Sequence, residues 1–177
     1  MEKATFGAGC FWGVEAAFAA IPGVTATAVG YEGGGLERPS YKDVCTDSTG
    51  HAEVVELDFD PAVVSYERLL DAFFELHDPT TLNRQGHDVG TQYRSVIFTH
   101  SEAQRTSALE VIAELEREQL YTQKIVTQVA PLYGNYWPAE AYHRNYFAMH
   151  PTQGYCAAVV APKVAKFRQK FAHRFRK

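Results

Sequence analysis

Apolar and polar residues alternate along two stretches of the chain, as they do in half-buried β-strands. Val24–Tyr31 follows this pattern, and His51–Asp60 interleaves charged with apolar residues. Met1–Gly7 is a short β-prone run that ends in glycine. The apolar runs Arg94–Phe98 and Ile125–Pro131 complete the set, so the pattern predicts five strands.

Helical patterns lie between and after these strands. Cys10–Phe18 is alanine-rich and reads as the start of a helix. Ser65 is suited to cap a helix whose apolar residues recur at i, i+1, i+4, i+5 and i+8 before an Asp-Pro pair stops it. Ser101–Leu120 opens with a serine followed three residues later by glutamine, a capping box. Ala139–Met149 is predicted as a further helix.

Two segments rich in glycine, turn formers and polar residues, Gly33–Gly50 and Thr80–Gln92, are predicted to be long loops, which often carry function. Because strands and helices are mixed without regular alternation, we predict an α+β fold. The chain has 177 residues, with no internal repeat and no linker composition. We therefore expect residues 1–177 to form a single domain.

The composition is that of a folded protein. Hydrophobic residues make up 46% of the chain and 23 residues are aromatic, which is enough to bury about 70% of the unfolded surface and excludes a disordered or low-complexity protein. The apolar runs are far shorter than the roughly 20 residues that span a bilayer. Residues 1–6 lack the basic and apolar regions of a secretory signal, so we expect a cytoplasmic protein.

Charge is distributed unevenly. Residues 163–177 hold seven of the 17 lysines and arginines and no acidic residue, so the rest of the chain is strongly acidic, which argues against broad nucleic-acid binding. Val164, Phe167, Phe171 and Phe175 fall on one helical face of this basic C-terminal segment. We expect a helix docked by this stripe; the alternative is a tail that binds an anionic membrane or nucleic acid.

The three cysteines, Cys10, Cys45 and Cys156, form no complete disulfide framework, and their spacing matches no zinc motif. The cysteines are therefore either free thiols or take part in redox chemistry. Cys10 lies in Gly-Cys-Phe-Trp-Gly at a predicted strand-to-helix turn, where unpaired N–H groups and the helix dipole favour a thiolate. The alternative is that Cys10 is a small buried hydrophobic residue.

Five short motifs resemble, in order, those of the A-type peptide methionine sulfoxide reductases. They are Gly9-Cys10-Phe11-Trp12-Gly13, Gly50-His51-Ala52-Glu53-Val54-Val55, His77-Asp78-Pro79-Thr80-Thr81, Asp88-Val89-Gly90-Thr91-Gln92-Tyr93-Arg94-Ser95 and Gly154-Tyr155-Cys156. The resemblance spans about Thr5 to Cys156. It implies a ferredoxin-like split β-α-β core with a mixed, mainly antiparallel sheet, and reduction of the S epimer of methionine sulfoxide, free or in peptides and proteins.

This resemblance assigns roles to four residues of the first two motifs. Cys10 attacks the sulfoxide sulfur. Glu53 donates a proton, since a carboxyl facing the Phe11-Trp12 wall would have its pKa raised by desolvation. Phe11 and Trp12 hold the S-methyl group of the substrate. Without the resemblance, the sequence favours a solvated strand carboxylate for Glu53, like Glu56 or Asp58.

Three further residues match positions that line the site in this family. Tyr41 and Tyr93 would hydrogen-bond to the sulfoxide oxygen through uncharged phenols. Asp88 would orient the substrate and the local hydrogen bonds. Taken alone, Asp88 is equally well explained as a turn former between two glycines.

The resemblance also implies how the enzyme is reset. A sulfenic acid on Cys10 condenses with a second thiol, and the family position matches Cys156, which we expect in an exposed loop. The Cys10–Cys156 disulfide would be reduced by thioredoxin, or by dithiothreitol in the laboratory. Cys45 receives no catalytic role. No metal or organic cofactor is implied, and we expect a monomer without nucleic-acid or membrane partners.

The seven histidines support two alternatives. His51, near Glu53, and His87, beside Asp88, could activate a thiol in a Cys–His hydrolase or acyltransferase, although order and spacing match no such family. A metal site from these same four residues is disfavoured, because the pairs lack the i, i+4 spacing that brings two helical ligands to one ion. Consumption of thiol reductant in step with turnover would separate reductase from hydrolase.

Overall fold

A six-stranded sheet forms the centre of the protein in the computed structural model, which describes residues 1–131 and 136–174. A separate two-stranded ribbon consists of β4 and β5. The strands are β1 Glu2–Ala8, β2 Val24–Glu32, β3 Ala52–Phe59, β4 Arg84–Gln85, β5 Asp88–Val89, β6 Ser95–Thr99, β7 Gln128–Pro131 and β8 Trp137–Pro138. The helices are α1 Phe11–Ala19, α2 Tyr41–Val44, α3 Tyr66–Leu76, α4 Glu102–Arg117, α5 Tyr146–Met149 and α6 Ala161–Arg174.

The strand order is β7-β6-β1-β3-β2-β8. Both β1 and β2 run antiparallel to β3, which lies between them, so they are parallel to each other and α1 joins them around β3. This is a split β-α-β unit. Strand β6 adds antiparallel to β1, and β7 adds parallel to β6 after the α4 crossover. The predicted α+β fold with a mixed, mainly antiparallel sheet is confirmed.

The two faces of the sheet differ in what covers them. Helices α1, α3 and α6 contact one another and the main core lies at this face, where the Phe6 ring stacks on Phe18 and Phe73 with centroids 5.2 and 5.1 Å apart. The other face carries a small cluster that includes Val54 and Phe98 and packs against Tyr136. In the described part of the chain, no helix is long and apolar enough to cross a membrane.

Two local predictions are wrong. The predicted helix Ala139–Met149 is a 3-10 turn, Ala141–His143, followed by the single helical turn α5. Asn145 separates the two because its φ of 50° is left-handed and cannot continue a right-handed helix. The capping box at Ser101 is half formed: Ser101 Oγ accepts from Gln104 N–H, but Gln104 Oε1 accepts from the N–H of His100.

The segment around Cys156 is helical rather than a loop. Residues Cys156–Val160 form a π-helix that runs directly into α6. Pro162 explains the local widening, since proline has no N–H and its ring clashes with the carbonyl four residues earlier. In the predicted apolar stripe of α6, Val164 and Phe167 are buried. Phe175 and the side chain of Phe171 lie outside the described part of the structure.

Candidate active site

Cys10 lies where the chain turns from β1 into α1. Gly9 precedes it with a φ of 95°, a conformation that glycine adopts freely. A Cβ at Gly9 would also lie 2.9 Å from Cγ of Gln85, so the position lacks room for a side chain. The Cys10 carbonyl accepts a helical hydrogen bond from Val14 N–H at 3.4 Å. The thiol therefore stands at a helix N-terminus, as predicted.

Glu53 reaches the same helix N-terminus from β3. Its Oε1 accepts a hydrogen bond from the N–H of Phe11 at 3.1 Å, while its Oε2 is buried without a hydrogen-bond partner. The residue is 1% exposed, which excludes the solvated alternative. Burial raises the pKa of Glu53 to about 8; the Phe11 N–H opposes this rise and the charge of Asp88 adds to it. The carboxyl thus holds a proton near neutral pH.

The Cys10 thiol is harder to ionise than its position at a helix N-terminus predicts. Burial is the largest cause that raises its pKa, and the carboxylates of Glu53 and Asp88 raise it further. The Trp12 N–H and the Lys163 ammonium lower it without cancelling the rise. Because an ionised Glu53 opposes the thiolate, a proton on Glu53 favours ionisation of Cys10 and is available for transfer at the same time.

An aromatic cluster surrounds the start of α1. Trp12 stacks on Tyr146 with centroids 4.0 Å apart and planes 14° apart, and its Nε1–H donates to Nδ1 of His143 at 2.9 Å. Tyr41 lies 6.4 Å from Phe11 and 6.3 Å from Trp12, nearly parallel to both. Phe11 is fully buried, so Trp12 and Tyr41 supply the accessible part of this apolar surface.

The two predicted phenols lie on different short elements. Tyr41 begins α2, and Tyr93 ends a 3-10 turn, Thr91–Tyr93. A hydrogen bond from Thr91 N–H to Asp47 at 2.7 Å joins this turn to the Gly33–Gly50 segment. Burial raises the pKa of both phenols, and the Glu53 carboxylate raises it further. Both remain protonated at neutral pH and can donate a hydrogen bond without charge.

Cys10 also lines an open cleft of about 730 Å³. Asp88 lies on its wall and accepts a hydrogen bond from the hydroxyl of Tyr155. Lys163, from the first turn of α6, lines the same cleft. The Tyr155–Asp88 bond therefore ties the helical segment that carries Cys156 to the ribbon beside the nucleophile.

All three cysteines are free thiols. Cys156 is fully buried, not exposed as predicted, and packs with Val160 and Val164 against Trp12 and Ala16. The apolar face of the helical segment explains this burial, because its thiol lies on the same side as the two valines. Cys45 is exposed at the C-terminal end of α2.

Several residues that shape the site escaped sequence reasoning. Glu140 accepts hydrogen bonds from Tyr31 O–H at 3.1 Å and from the N–H of Tyr41 at 3.0 Å, which fixes the start of α2. His143 is fully buried among the aromatic rings. These contacts join segments about 100 residues apart, and no local pattern marks them. Lys163 could have been singled out only as the first charge of the basic segment.

The histidines do not support a Cys–His pair. Both ring nitrogens of His51 are engaged, Nδ1 with Gly34 N–H at 3.1 Å and Nε2 with the Leu36 carbonyl at 2.7 Å, so this ring holds the glycine-rich loop. His87 lines the cleft but makes no hydrogen bond to Cys10 in the described structure. Among the described residues, no group of three or more His, Cys, Asp or Glu side chains could hold a metal ion.

Comparison with known proteins agrees with this geometry. The chain is 57% identical over 173 residues to the peptide methionine sulfoxide reductase MsrA of Polynucleobacter asymbioticus, covering 97% of this chain and 90% of the relative. Its fold matches Mxr1 of Saccharomyces cerevisiae in reduced form, with a TM-score of 0.81, 36% identity and 88% of each chain covered.

The same yeast protein has also been solved in complex with Trx2. That structure matches with a TM-score of 0.57 and 26% identity, covering 82% of this chain and 84% of the other. The family model for peptide methionine sulfoxide reductase matches residues 2–175. The buried acid beside a helix-terminal thiol, the aromatic surface around them and this match together establish that the chain belongs to the peptide methionine sulfoxide reductase family.

Proposed function

We propose that this protein reduces the S epimer of methionine sulfoxide, free or in peptides and proteins, with Cys10 as nucleophile and Glu53 as proton donor. One observation carries the proposal. Glu53 hydrogen-bonds to the helix N-terminus that bears Cys10, while its second oxygen is buried without a partner. A substrate oxygen bound there would complete its hydrogen bonding.

The first step converts a thiol and a sulfoxide into a sulfenic acid and a thioether. The Cys10 thiolate attacks the sulfoxide sulfur, and Glu53 protonates the oxygen as the S–O bond weakens. The bond between the two sulfurs then breaks as the oxygen passes from the substrate sulfur to Cys10, which leaves a sulfenic acid on Cys10 and releases methionine. The electrons come from the thiol, so the step needs no metal or organic cofactor.

The aromatic surface and the two phenols suit the rest of the substrate. Trp12 offers a flat apolar face, held in place by Tyr146 and His143, against which an S-methyl group can pack. Tyr41 and Tyr93 are protonated donors whose pKa responds to Glu53, so they lie within electrostatic reach of the acid. The Asp88 carboxylate, which accepts a hydrogen bond from the Tyr155 hydroxyl, would orient the substrate at the wall of the cleft.

The reset step uses Cys156. Its thiolate attacks the Cys10 sulfenic acid, a disulfide forms and water leaves. Because Cys156 is buried against Trp12 and Ala16, it must leave this cluster first. The π-helix at Cys156–Val160 supports such a movement, since its hydrogen bonding is less favourable than that of an α-helix. The disulfide is then reduced by thioredoxin, in keeping with the yeast relative solved with Trx2.

The reaction is tested by offering each epimer of methionine sulfoxide with dithiothreitol to the parent and to Cys10→Ser. The parent should reduce only the S epimer, and Cys10→Ser should reduce neither, because an alcohol at neutral pH is a poor nucleophile toward sulfur. Cys45→Ser, which removes an exposed thiol, is the matched control and should retain parent activity. Substantial turnover by Cys10→Ser would remove this thiol from the mechanism.

A second experiment addresses the reset. Cys156→Ser should reduce about one equivalent of substrate and then stall when thioredoxin is the only reductant, because no disulfide is presented to it. Mass mapping of the oxidised parent should find Cys10 joined to Cys156. A Cys10–Cys45 bridge, or full thioredoxin-supported turnover by Cys156→Ser, would show that another thiol resolves the sulfenic acid.

A further inference from the structure

Lys163 brings a positive charge to the nucleophile from a distant part of the chain. Its side chain extends from the first turn of α6, and Nζ donates to the carbonyl of Ala8, two residues before Cys10, at 3.4 Å. A Cβ placed on Gly9 would lie 3.7 Å from the same Nζ. The ammonium therefore lies against the Ala8–Cys10 turn.

This ammonium has no acidic partner in the resting site. Within residues 1–131 and 136–174, the ion pairs involve Lys3 and Arg105, and none involves Lys163. Burial lowers the pKa of Lys163, while the charges of Cys10 and Asp88 oppose this. Because Lys163 is half-buried at the wall of the open cleft, its ammonium loses part of its hydration without an ion pair to offset the loss.

The other charges that face Cys10 are unfavourable to a thiolate. Asp88 on β5, and Glu53 on β3 once it loses its proton, are anions, and the neighbouring phenols carry no positive charge. Among the described residues, the ammonium of Lys163 opposes these anions. The titratable groups that act on Cys10 are Glu53, Asp88, Tyr93 and Tyr155. Those that act on Lys163 are His77 and Asp88. The cleft that both residues line also holds Glu75, Asp78, His87 and Lys166.

We propose that Lys163 is a positioning residue whose ammonium stabilises the Cys10 thiolate and anchors it against the Ala8–Cys10 turn. The inference rests on the proposed role of Cys10 as nucleophile. It assigns a second task to the helical element that carries the resolving thiol Cys156. One continuous helix then supplies both the charge that supports attack and the thiol that resolves the product.

The test measures how fast iodoacetamide alkylates Cys10 between pH 6 and 9, with the Cys10 peptide quantified by mass spectrometry. Lys163→Met should slow alkylation about tenfold at each pH, because loss of the ammonium raises the pKa of the thiol and leaves less thiolate to react. Lys163→Gln, a second neutral variant, should slow alkylation to the same extent, and it replaces the methionine variant if that variant folds poorly. Lys163→Arg should restore most of the rate, because it keeps the charge.

The matched control is Arg168→Met, which removes an exposed cation from the same helix and should leave the rate unchanged. Rates for both neutral variants within twofold of the parent would overturn the proposal. So would an equal loss in Lys163→Arg, since side-chain shape and not charge would then be responsible. Alkylation requires no sulfoxide reduction, so these outcomes are independent of whether the proposed reaction occurs.

Discussion

Two buried glutamates occupy neighbouring positions on opposite faces of the sheet. Tyr31 pairs with Glu53, and the next residue of β2, Glu32, pairs with Ala52. Successive residues of a strand point to opposite faces, so Glu53 lies under the helices and Glu32 lies with the smaller cluster. Burial raises the pKa of both carboxyls, that of Glu53 to about 8 and that of Glu32 to about 7.

The two carboxyls differ in the groups that surround them. Glu53 faces a helix N–H, a thiol and a second carboxylate. Among the described residues, both oxygens of Glu32 are buried without a hydrogen bond, and so is the hydroxyl of nearby Tyr136. The shifted pKa has the same physical cause in the two places. A near-neutral carboxyl is therefore not itself an active site; the thiol and the apolar surface beside Glu53 make the difference.

The largest effect should come from Glu53→Gln, which keeps the shape of the side chain and removes its proton. An amide can hydrogen-bond to the sulfoxide oxygen but cannot protonate it, so we expect the rate of the first step to fall about 10²-fold or more. In the parent, this rate should rise with pH as more Cys10 thiolate forms and should level off above about pH 8, where loss of the Glu53 proton offsets the gain. The levelling should be absent in the variant, whose slower rate should keep rising with pH.

Single-turnover sulfoxide reduction between pH 6 and 9.5 measures both quantities. Cys10 alkylation serves as the control, because the nucleophile should remain reactive in Glu53→Gln. Unchanged single-turnover kinetics near pH 7 would exclude Glu53 as the proton donor.

Glu32→Gln should have an intermediate effect, on stability. A carboxyl with a raised folded pKa contributes stability that is fully present below its unfolded pKa near 4.5 and is lost as the pH rises through about 7. Glutamine does not titrate. The variant should therefore gain on the order of 2 kcal/mol in unfolding free energy relative to the parent between pH 5 and pH 8.5.

Urea unfolding at the two pH values gives this difference directly. Glu53→Gln is the companion variant, and its gain should continue to a higher pH because the pKa of Glu53 is higher. A constant difference between Glu32→Gln and the parent would mean that folding does not raise the pKa of Glu32.

The smallest effect should be that of Glu32→Gln on activity. No nucleophile or substrate-binding group contacts Glu32 in the described structure, so sulfoxide reduction at pH 7 should stay within about twofold of the parent, the ordinary scatter of a change away from a site. Steady-state rates with dithiothreitol check this. A loss comparable to that of Glu53→Gln would mean that the two faces are functionally coupled.

Local patterns predicted the strands and the long helices because their periodicity comes from one-sided burial. The α3 pattern that begins at Ser65 is an example: it became a helix from Tyr66 to Leu76 with the serine as its N-cap. The predictions of short elements were wrong. Asn145 ended a predicted helix through one left-handed residue, and the predicted loop around Cys156 is a helix that Pro162 widens locally.

Only part of the site could be predicted from the sequence. The thiol, the acid and the aromatic pair lie in short motifs, so they could be named. Lys163 and His143 could not, because each reaches the site through packing of an element more than 100 residues from Cys10. The direction of the Cys10 pKa was also missed, since burial and two carboxylates outweigh the helix dipole.

The π-helix at Cys156–Val160 gives chain length a meaning of its own at this point. It holds one residue more than α-helical winding would use over the same hydrogen-bond span. Deleting one residue here would restore α-helical winding and leave the direction of Lys163 nearly unchanged. Deleting Ala161 or Pro162, where α6 begins, would instead turn all that follows by about 100° around the helix axis and move Lys163 away from the Ala8–Cys10 turn. The π-helix is therefore where this element can lose one residue without displacing the cation.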